Sequence, residues 1–258
     1  MLNKLIEFLL KIGLKVNFGK LTPYLKLLSS YIRYYITIYS SPISKKKEVY
    51  FIASLPKSGS TWLENIIAEL TKSTLIMPVE PSHWERANGR SDDFIPKIDF
   101  IKKLPNKRWV VKLHSKCSIE LVRILKNNNL RPIILYRDIS QIIESHYFYV
   151  KNTKFHFDYK FTINQNENES IEFFRKKYEQ DYKDWLEQWQ KNPEAIIISY
   201  NDLLKNPIKT ISHIAKELKL DYTKSLIEDV INNNTLQKMK KRSAHKAFFR
   251  GSHLKKNI

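Results

Sequence analysis

The stretch LPKSGSTWLENII, Leu55 to Ile67, confines the fold more than any other part of the chain. Before it, Val49-Tyr50-Phe51-Ile52-Ala53 is short, β-branched and aromatic, the composition of a buried strand. After it, Leu63, Ile66, Ile67 and Leu70 recur at spacings of three and four, which predicts a helix. Gly59 permits a tight turn between them. The N–H groups of Ser58 to Thr61 are then expected to form a nest for an anion at the positive end of a helix. A strand that feeds a helix through so short a turn belongs in an α/β fold.

The remaining patterns extend that reading. Arg108–Leu113 is predicted as a second strand, followed by a helix over Ser118–Lys126. Arg131–Tyr136 is a third strand, followed by a helix from Ile139 to about Tyr149. A polar loop over Asn164–Ser170 precedes a long helix, Ile171–Gln190, which Asn192-Pro193 ends. The run AIIISY is a further strand, with helices over Ile208–Leu218 and Thr223–Ile231. This alternation predicts a three-layer α/β domain, a mostly parallel central sheet with helices on both faces. No internal repeat or linker interrupts it. The 258 residues, 42% of them hydrophobic, are expected to form one domain, 1–258. Within it, 1–45 is an N-terminal amphipathic helical segment packed on or beside the core.

Lys and Arg number 45 against 26 Asp and Glu, a formal charge of +19. Such an excess suits a polyanionic ligand, an acidic membrane surface or nucleic acid, and charge does not choose among them. The single cysteine, Cys117, excludes an intramolecular disulfide and fits a reducing compartment, so a cytoplasmic location is expected. The most apolar long stretch, Tyr24–Ile43, is interrupted by Lys26 and Arg33, and no membrane span is expected. Met1–Leu14 sets Lys4, Glu7 and Lys11 among leucines. Docking of this amphipathic stretch on the core is expected, with peripheral membrane contact through the N-terminal segment as the alternative.

In parallel α/β sheets, ligands sit beyond the carboxyl ends of the strands. Three polar segments leave strands there. The first is Lys57-Ser58-Gly59-Ser60-Thr61-Trp62, whose lysine precedes the glycine, unlike the phosphate loop of nucleotide kinases. The second is Lys112-Leu113-His114, in which a period of two puts Lys112 and His114 on one face. The third is Tyr136-Arg137, with Ser145 eight residues on in a helix. A strand-end arginine suits bidentate binding of a phosphate.

Together these segments resemble the sulfotransferases that use 3′-phosphoadenosine 5′-phosphosulfate (PAPS), most closely the soluble cytosolic type. That family carries Pro-Lys-Ser-Gly-Thr-Thr-Trp, and this chain has PKSGSTW at Pro56–Trp62. The family's Lys-Thr-His at a strand end is matched by KLH, Lys112–His114. Its Arg and Ser eight residues apart correspond to Arg137 and Ser145, followed here by HYFY. Its Tyr-Glu-Asp-Leu corresponds to YNDLL at Tyr200, and its Ser-Phe-x-x-Met-Lys to TLQKMK, Thr235–Lys240. The likeness runs from about Val49 to Gly251 in the family's order. There are departures: Leu236 stands in place of a phenylalanine, and Gln141 in place of an aspartate. The end FFRGSHLKKNI keeps Arg250 and Gly251 but lacks the family's tryptophan. The family's dimerisation segment has no counterpart, so no dimer through it is expected.

The resemblance implies transfer of a sulfuryl group from PAPS to a hydroxyl or amine, with no metal required. Lys57 would neutralise the leaving bridging oxygen, Lys112 would hold the sulfuryl oxygens, and His114, kept neutral beside Lys112, would act as general base. Donor contacts would come from Lys57, Ser58, Gly59, Ser60, Thr61 and Trp62, with Tyr200 beside the adenine. Arg137 and Ser145 would take the 3′-phosphate, with further contacts from Thr235, Arg250 and Gly251. The acceptor is a small molecule, a lipid or a carbohydrate, and nucleic acid is not an expected partner. Pro78–Arg90, including His83 and Trp84, is expected to overhang the acceptor. The alternatives are a nucleotide kinase, reading Asp138 as a metal ligand, and a basic protein that binds nucleic acid or membrane.

Overall fold

The computed structural model describes residues 22–78, 99–153, 156, 158–163, 165–235 and 237–239. Five parallel strands form one sheet: β1 (Glu48–Ser54), β2 (Thr74–Ile76), β3 (Arg108–Leu113), β4 (Ile133–Tyr136) and β5 (Ile196–Ser199). Their order is β2-β3-β1-β4-β5. Around them lie helices α1 (Thr22–Ser40), α2 (Ser60–Leu70), α3 (Ile119–Asn127), α4 (Ile139–Lys151), α5 (Lys160–Ile163), α6 (Glu167–Gln190), α7 (Tyr200–Lys205), α8 (Pro207–Glu217) and α9 (Lys224–Asn233).

Side-chain alternation along the strands divides the core in two. On one face Phe51, Ala53, Trp109, Val111, Leu113 and Ile134 pack with Tyr147 of α4 and with Phe174, Trp185 and Trp189 of α6. On the other, Ile52, Val110, Ile133 and Leu135 pack with Leu63, Ile66 and Ile67 of α2 and with Ile211 and Ile214 of α8. These are the three layers expected from the alternating patterns. The register sets Ala53 beside Leu113, and Ser54 beside Leu135. The carboxyl ends of β1, β3 and β4 therefore open on one rim.

The elements depart from the sequence reading where local chemistry overrides apolar period. Strand β4 starts at Ile133, not Arg131, because Pro132 has no N–H to give a ladder. Its carbonyl instead accepts from the Ile196 N–H at 2.9 Å. Helix α6 starts at Glu167, four residues before the apolar period does, so the predicted loop is shorter. The reason is a capping box: Asn166 Oδ1 accepts from the Glu169 N–H at 3.0 Å and Glu169 Oε2 from the Asn166 N–H at 3.1 Å. The edge strand β2 and the short helices α5 and α7 escaped periodicity because none completes a repeat. No helix among the described residues is long and apolar enough to cross a membrane. Met1–Leu14 and most of Pro78–Arg90, with His83 and Trp84, lie outside the described residues.

Candidate active site

The chain leaves β1 at Ser54 and turns back at once. The Ser58 hydroxyl donates to the Leu55 carbonyl at 2.8 Å, and its N–H reaches the same oxygen at 3.4 Å. Lys57 (φ 67°) and Gly59 (φ 91°) are both left-handed, a conformation the sequence reading allotted to Gly59 alone. Gly59 caps α2 without a side chain, and the N–H groups of a helix's first turn project from its end. A Cβ on Gly59 would lie 2.5 Å from Cδ2 and Cε2 of Tyr200. Glycine is thus required twice, by φ and by the ring against it.

Lys57 points into a largely buried space, its Nζ 4.8 Å from the centroid of the Tyr149 ring. Burial foremost, and then the positive charge of Arg137, push its pKa below the ordinary lysine value. Arg137 is held at three points. Its Nε donates to Gln141 Oε1 at 3.0 Å, its Nη1 to the Lys57 carbonyl at 3.3 Å, and its Cζ lies 4.8 Å over the Tyr200 ring. Tyr200 in turn meets Trp62 edge-on, 6.5 Å between centroids. Trp62 is buried, and its indole N–H has no hydrogen-bond partner among the described residues. An orphaned buried donor in a folded protein calls for a partner.

His114 follows β3 directly. Its Nδ1 lies 2.7 Å from the Ser54 carbonyl oxygen and 3.3 Å from Ser54 Oγ. A carbonyl only accepts, so the ring proton is on Nδ1 and the lone pair is on Nε2. Lys112 Nζ donates to that lone pair at 3.1 Å. Strand alternation predicted this common face. Just beyond, the Ser115 carbonyl accepts from both Trp185 Nε1 (2.8 Å) and Trp189 Nε1 (3.1 Å), which anchors the turn carrying the histidine. No carboxylate among the described residues lies within ion-pair distance of Lys57, Lys112 or Arg137. Three cations on neighbouring strand ends, without a counter-charge among the described residues, suit an anion.

The other sequence-predicted residues are placed less uniformly. Ser60 and Thr61 open α2, and Ser145 lies half-buried within α4. Thr235 is exposed beyond α9 and accepts from the Lys238 N–H at 3.3 Å, so its hydroxyl serves a local turn. The end of α9 is tied to the carboxyl end of α2, since Asn233 and Asn234 donate to the carboxylate of Glu69 (2.7 and 2.8 Å). Leu236, Lys240, Arg250 and Gly251 lie outside the described residues. Sequence reasoning did not find the Ser54 carbonyl, the place of Tyr149 over Lys57, or Gln141 as the support of Arg137. Only the i, i+4 spacing of Arg137 and Gln141 could have signalled the last. No group of three or more His, Cys, Asp and Glu among the described residues could hold a metal ion.

Known sulfotransferases resemble this chain in sequence and in fold. Mouse sulfotransferase 1B1 is 24% identical over 206 residues, 73% of this chain and 64% of its own length. Rat sulfotransferase 1E1 is 23% identical over 207 residues, 76% of this chain and 68% of its own. The chain thus spans just under two thirds of the first relative. Two solved structures share the fold. One is mouse sulfotransferase SULT7A1 complexed with PAP (TM-score 0.54, 18% identity, 77% of this chain and 68% of that one). The other is retinol dehydratase in complex with androsterone and the inactive cofactor PAP (TM-score 0.56, 17% identity, 84% and 75%). Residues 47–254 match the sulfotransferase-domain family model, a span that holds the nest, both lysines, His114 and Arg137, and the chain belongs to that family.

Proposed function

We propose that this protein transfers the sulfuryl group of PAPS to a hydroxyl or amine by in-line displacement, without a metal. The observation that carries the reading is the set of three cations, Lys57, Lys112 and Arg137, with no carboxylate partner among the described residues. The glycine nest and the orphaned Trp62 indole N–H fit the same donor. When bound, PAPS supplies a sulfuryl group activated by its phosphate leaving group.

The roles follow from position. Lys57, desolvated and beside the nest, places its charge where the leaving oxygen gains one. Arg137 and Ser145 hold the 3′-phosphate, and Trp62 and Tyr200 border the adenine. Thr235, Arg250 and Gly251 complete the donor contacts. His114 acts as general base. Its tautomer is fixed by the Ser54 carbonyl, so Nε2 takes the acceptor's proton once Lys112 moves its own donor to a sulfuryl oxygen. The acceptor is a small molecule, lipid or carbohydrate. The androsterone held by retinol dehydratase supports starting with hydrophobic alcohols. The chain acts as one cytoplasmic domain, with no nucleic-acid partner.

Calorimetry with adenosine 3′,5′-bisphosphate, ATP and duplex DNA, each with and without magnesium, tests the reading. Preferred binding of the bisphosphate, indifferent to magnesium, is expected. Magnesium-dependent preference for ATP would overturn it in favour of a kinase. Turnover is then followed by transfer of labelled sulfate from PAPS to a panel of alcohols, phenols and amines.

A further inference from the structure

Ten large hydrophobic side chains stand exposed among the described residues, and six of them fall between Leu28 and Ile43. Leu28 (55% exposed), Tyr35 (51%) and Tyr39 (82%) follow one another at spacings of seven and four, a single stripe along α1. Tyr31 and Ile36 flank it, and Ile43 (88%) extends it past the helix end. The helix is not loosely held, for Tyr34 and Ile38 of another side pack on the core. Lys107 Nζ donates to the carbonyls of Ile38 and Ser41, and the Ser44 N–H reaches the Asn106 carbonyl at 3.0 Å. The stripe is therefore a fixed outward face, roughly 17 Å long from Leu28 to Tyr39 at the helical rise.

Charge says what covers it. From Phe8 to Lys47 the sequence contains no Asp or Glu. Lys45 and Lys46 stand exposed past Ile43, with one residue, Ser44, between, and Lys47 donates to the carbonyls of Ile101 and Lys102 (2.9 and 3.2 Å). The first carboxylate beyond, Glu48, is paired with Arg108 at 3.4 Å. Tyrosines with an apolar body and a wet tip, isoleucines between them and lysines at the end match the boundary between lipid headgroups and acyl chains. We infer that α1 and the turn to Lys46 dock this protein, peripherally, on an anionic phospholipid surface. The tyrosine stripe enters the interface while Lys45 and Lys46 meet the headgroup phosphates. The Ile43–Lys46 end of this face lies at the amino ends of β1 and β3, where Lys107 and Asn106 bond the turn, whereas Lys57, His114 and Arg137 follow carboxyl ends of strands. The inference is independent of the reaction assigned to those three residues.

The test is flotation of the full chain with vesicles of phosphatidylcholine alone and with phosphatidylglycerol added, at low and high salt. Binding to the anionic vesicles only, weakened by salt, is expected. The variant Tyr35→Ser/Tyr39→Ser/Ile43→Ser should lose it. Lys45→Glu/Lys46→Glu should weaken it by about fivefold or more for each lysine, from about 1 kcal/mol per cation near such a surface. Both variants should keep wild-type turnover with a soluble acceptor, which also shows that they are folded. Absent binding, equal binding to neutral vesicles, or full binding by the serine variant would each overturn the proposal. The last would mean adsorption through the overall charge. Light scattering that shows a dimer dissolved by the serine variant would overturn it too, assigning the stripe to a second copy of the chain.

Discussion

Helix α4 contributes to two polar clusters that handle charge in opposite ways. Near one, Tyr149 lies under Lys57 and Gln141 supports Arg137, and the two cations face each other with no carboxylate among the described residues. In the other, the buried carboxylate of Asp158 is bonded to Lys177 and to the Tyr178 hydroxyl. There His146 lies 3.2 Å from the Tyr182 hydroxyl, with its ring packed on Phe174 and His156. Burial first, and then His156 and the nearby lysines, push the His146 pKa down to about 3, so it stays neutral. Paired charge inside a protein holds structure together, whereas concentrated unpaired charge sacrifices stability and waits for a ligand.

The largest effect that could break this contrast is at His114. His114→Ala should lower turnover roughly 10²–10⁴-fold, the usual contribution of a general base. Affinity for adenosine bisphosphate and the melting temperature should stay close to wild type. A folded variant that keeps its turnover would return His114 to a structural role.

Next comes a matched pair of lysines. Lys57→Ala should cost roughly 10²–10³ in turnover, as for loss of one preorganised charge, while the fold keeps or gains stability because a desolvated cation is removed. Lys177→Ala should do the reverse and strand the Asp158 carboxylate. The loss should be about 2 kcal/mol, read from denaturant midpoints and less than for a fully enclosed pair because Lys177 is 30% exposed. Its turnover per folded molecule should be unchanged. If both variants lose stability and activity alike, the two clusters do not differ in kind.

Smaller still, Arg137→Ala should raise the donor KM by roughly 10–100-fold, the worth of a charge-assisted hydrogen bond or two, with kcat largely kept. It should also erase the preference for a donor with a 3′-phosphate. Competition between donors with and without that phosphate checks this.

The last prediction uses pH. The unfolded chain protonates His146 near the ordinary histidine value of 6.5, but the native state does so only at about 3. Below 6.5 the unfolded state therefore binds more protons, and stability falls as pH drops through that window. His146→Phe should flatten this acid slope in melting temperature. It should leave any acid limb in kcat/KM in place, because His146 does not titrate there in the native state. At the alkaline end, donor affinity should fall below the ordinary lysine range, where Lys57 loses its proton early, and Lys57→Arg should remove that limb.

How much of this was legible in advance depends on the range of the physics involved. Strand-turn-helix at Gly59, the shared face of Lys112 and His114, and Arg137 at a strand end follow from periods of two and 3.6 and from a glycine in a turn. Those rules act over a few residues, so the sequence alone carried the α/β class and most of the candidate site. Strand order was beyond them. Because β1 lies between β3 and β4, the Ser54 carbonyl meets His114 sixty residues away and sets its tautomer. For the same reason Arg137 reaches the Lys57 carbonyl across eighty residues. The Tyr200 ring that forbids a Cβ on Gly59 arrives from the end of β5. Contacts between distant side chains are fixed by which strands pair and by how both faces pack, and no local propensity encodes that. The sequence by itself determined which groups are candidates for the chemistry, and the tertiary structure decided which atom of each faces which partner.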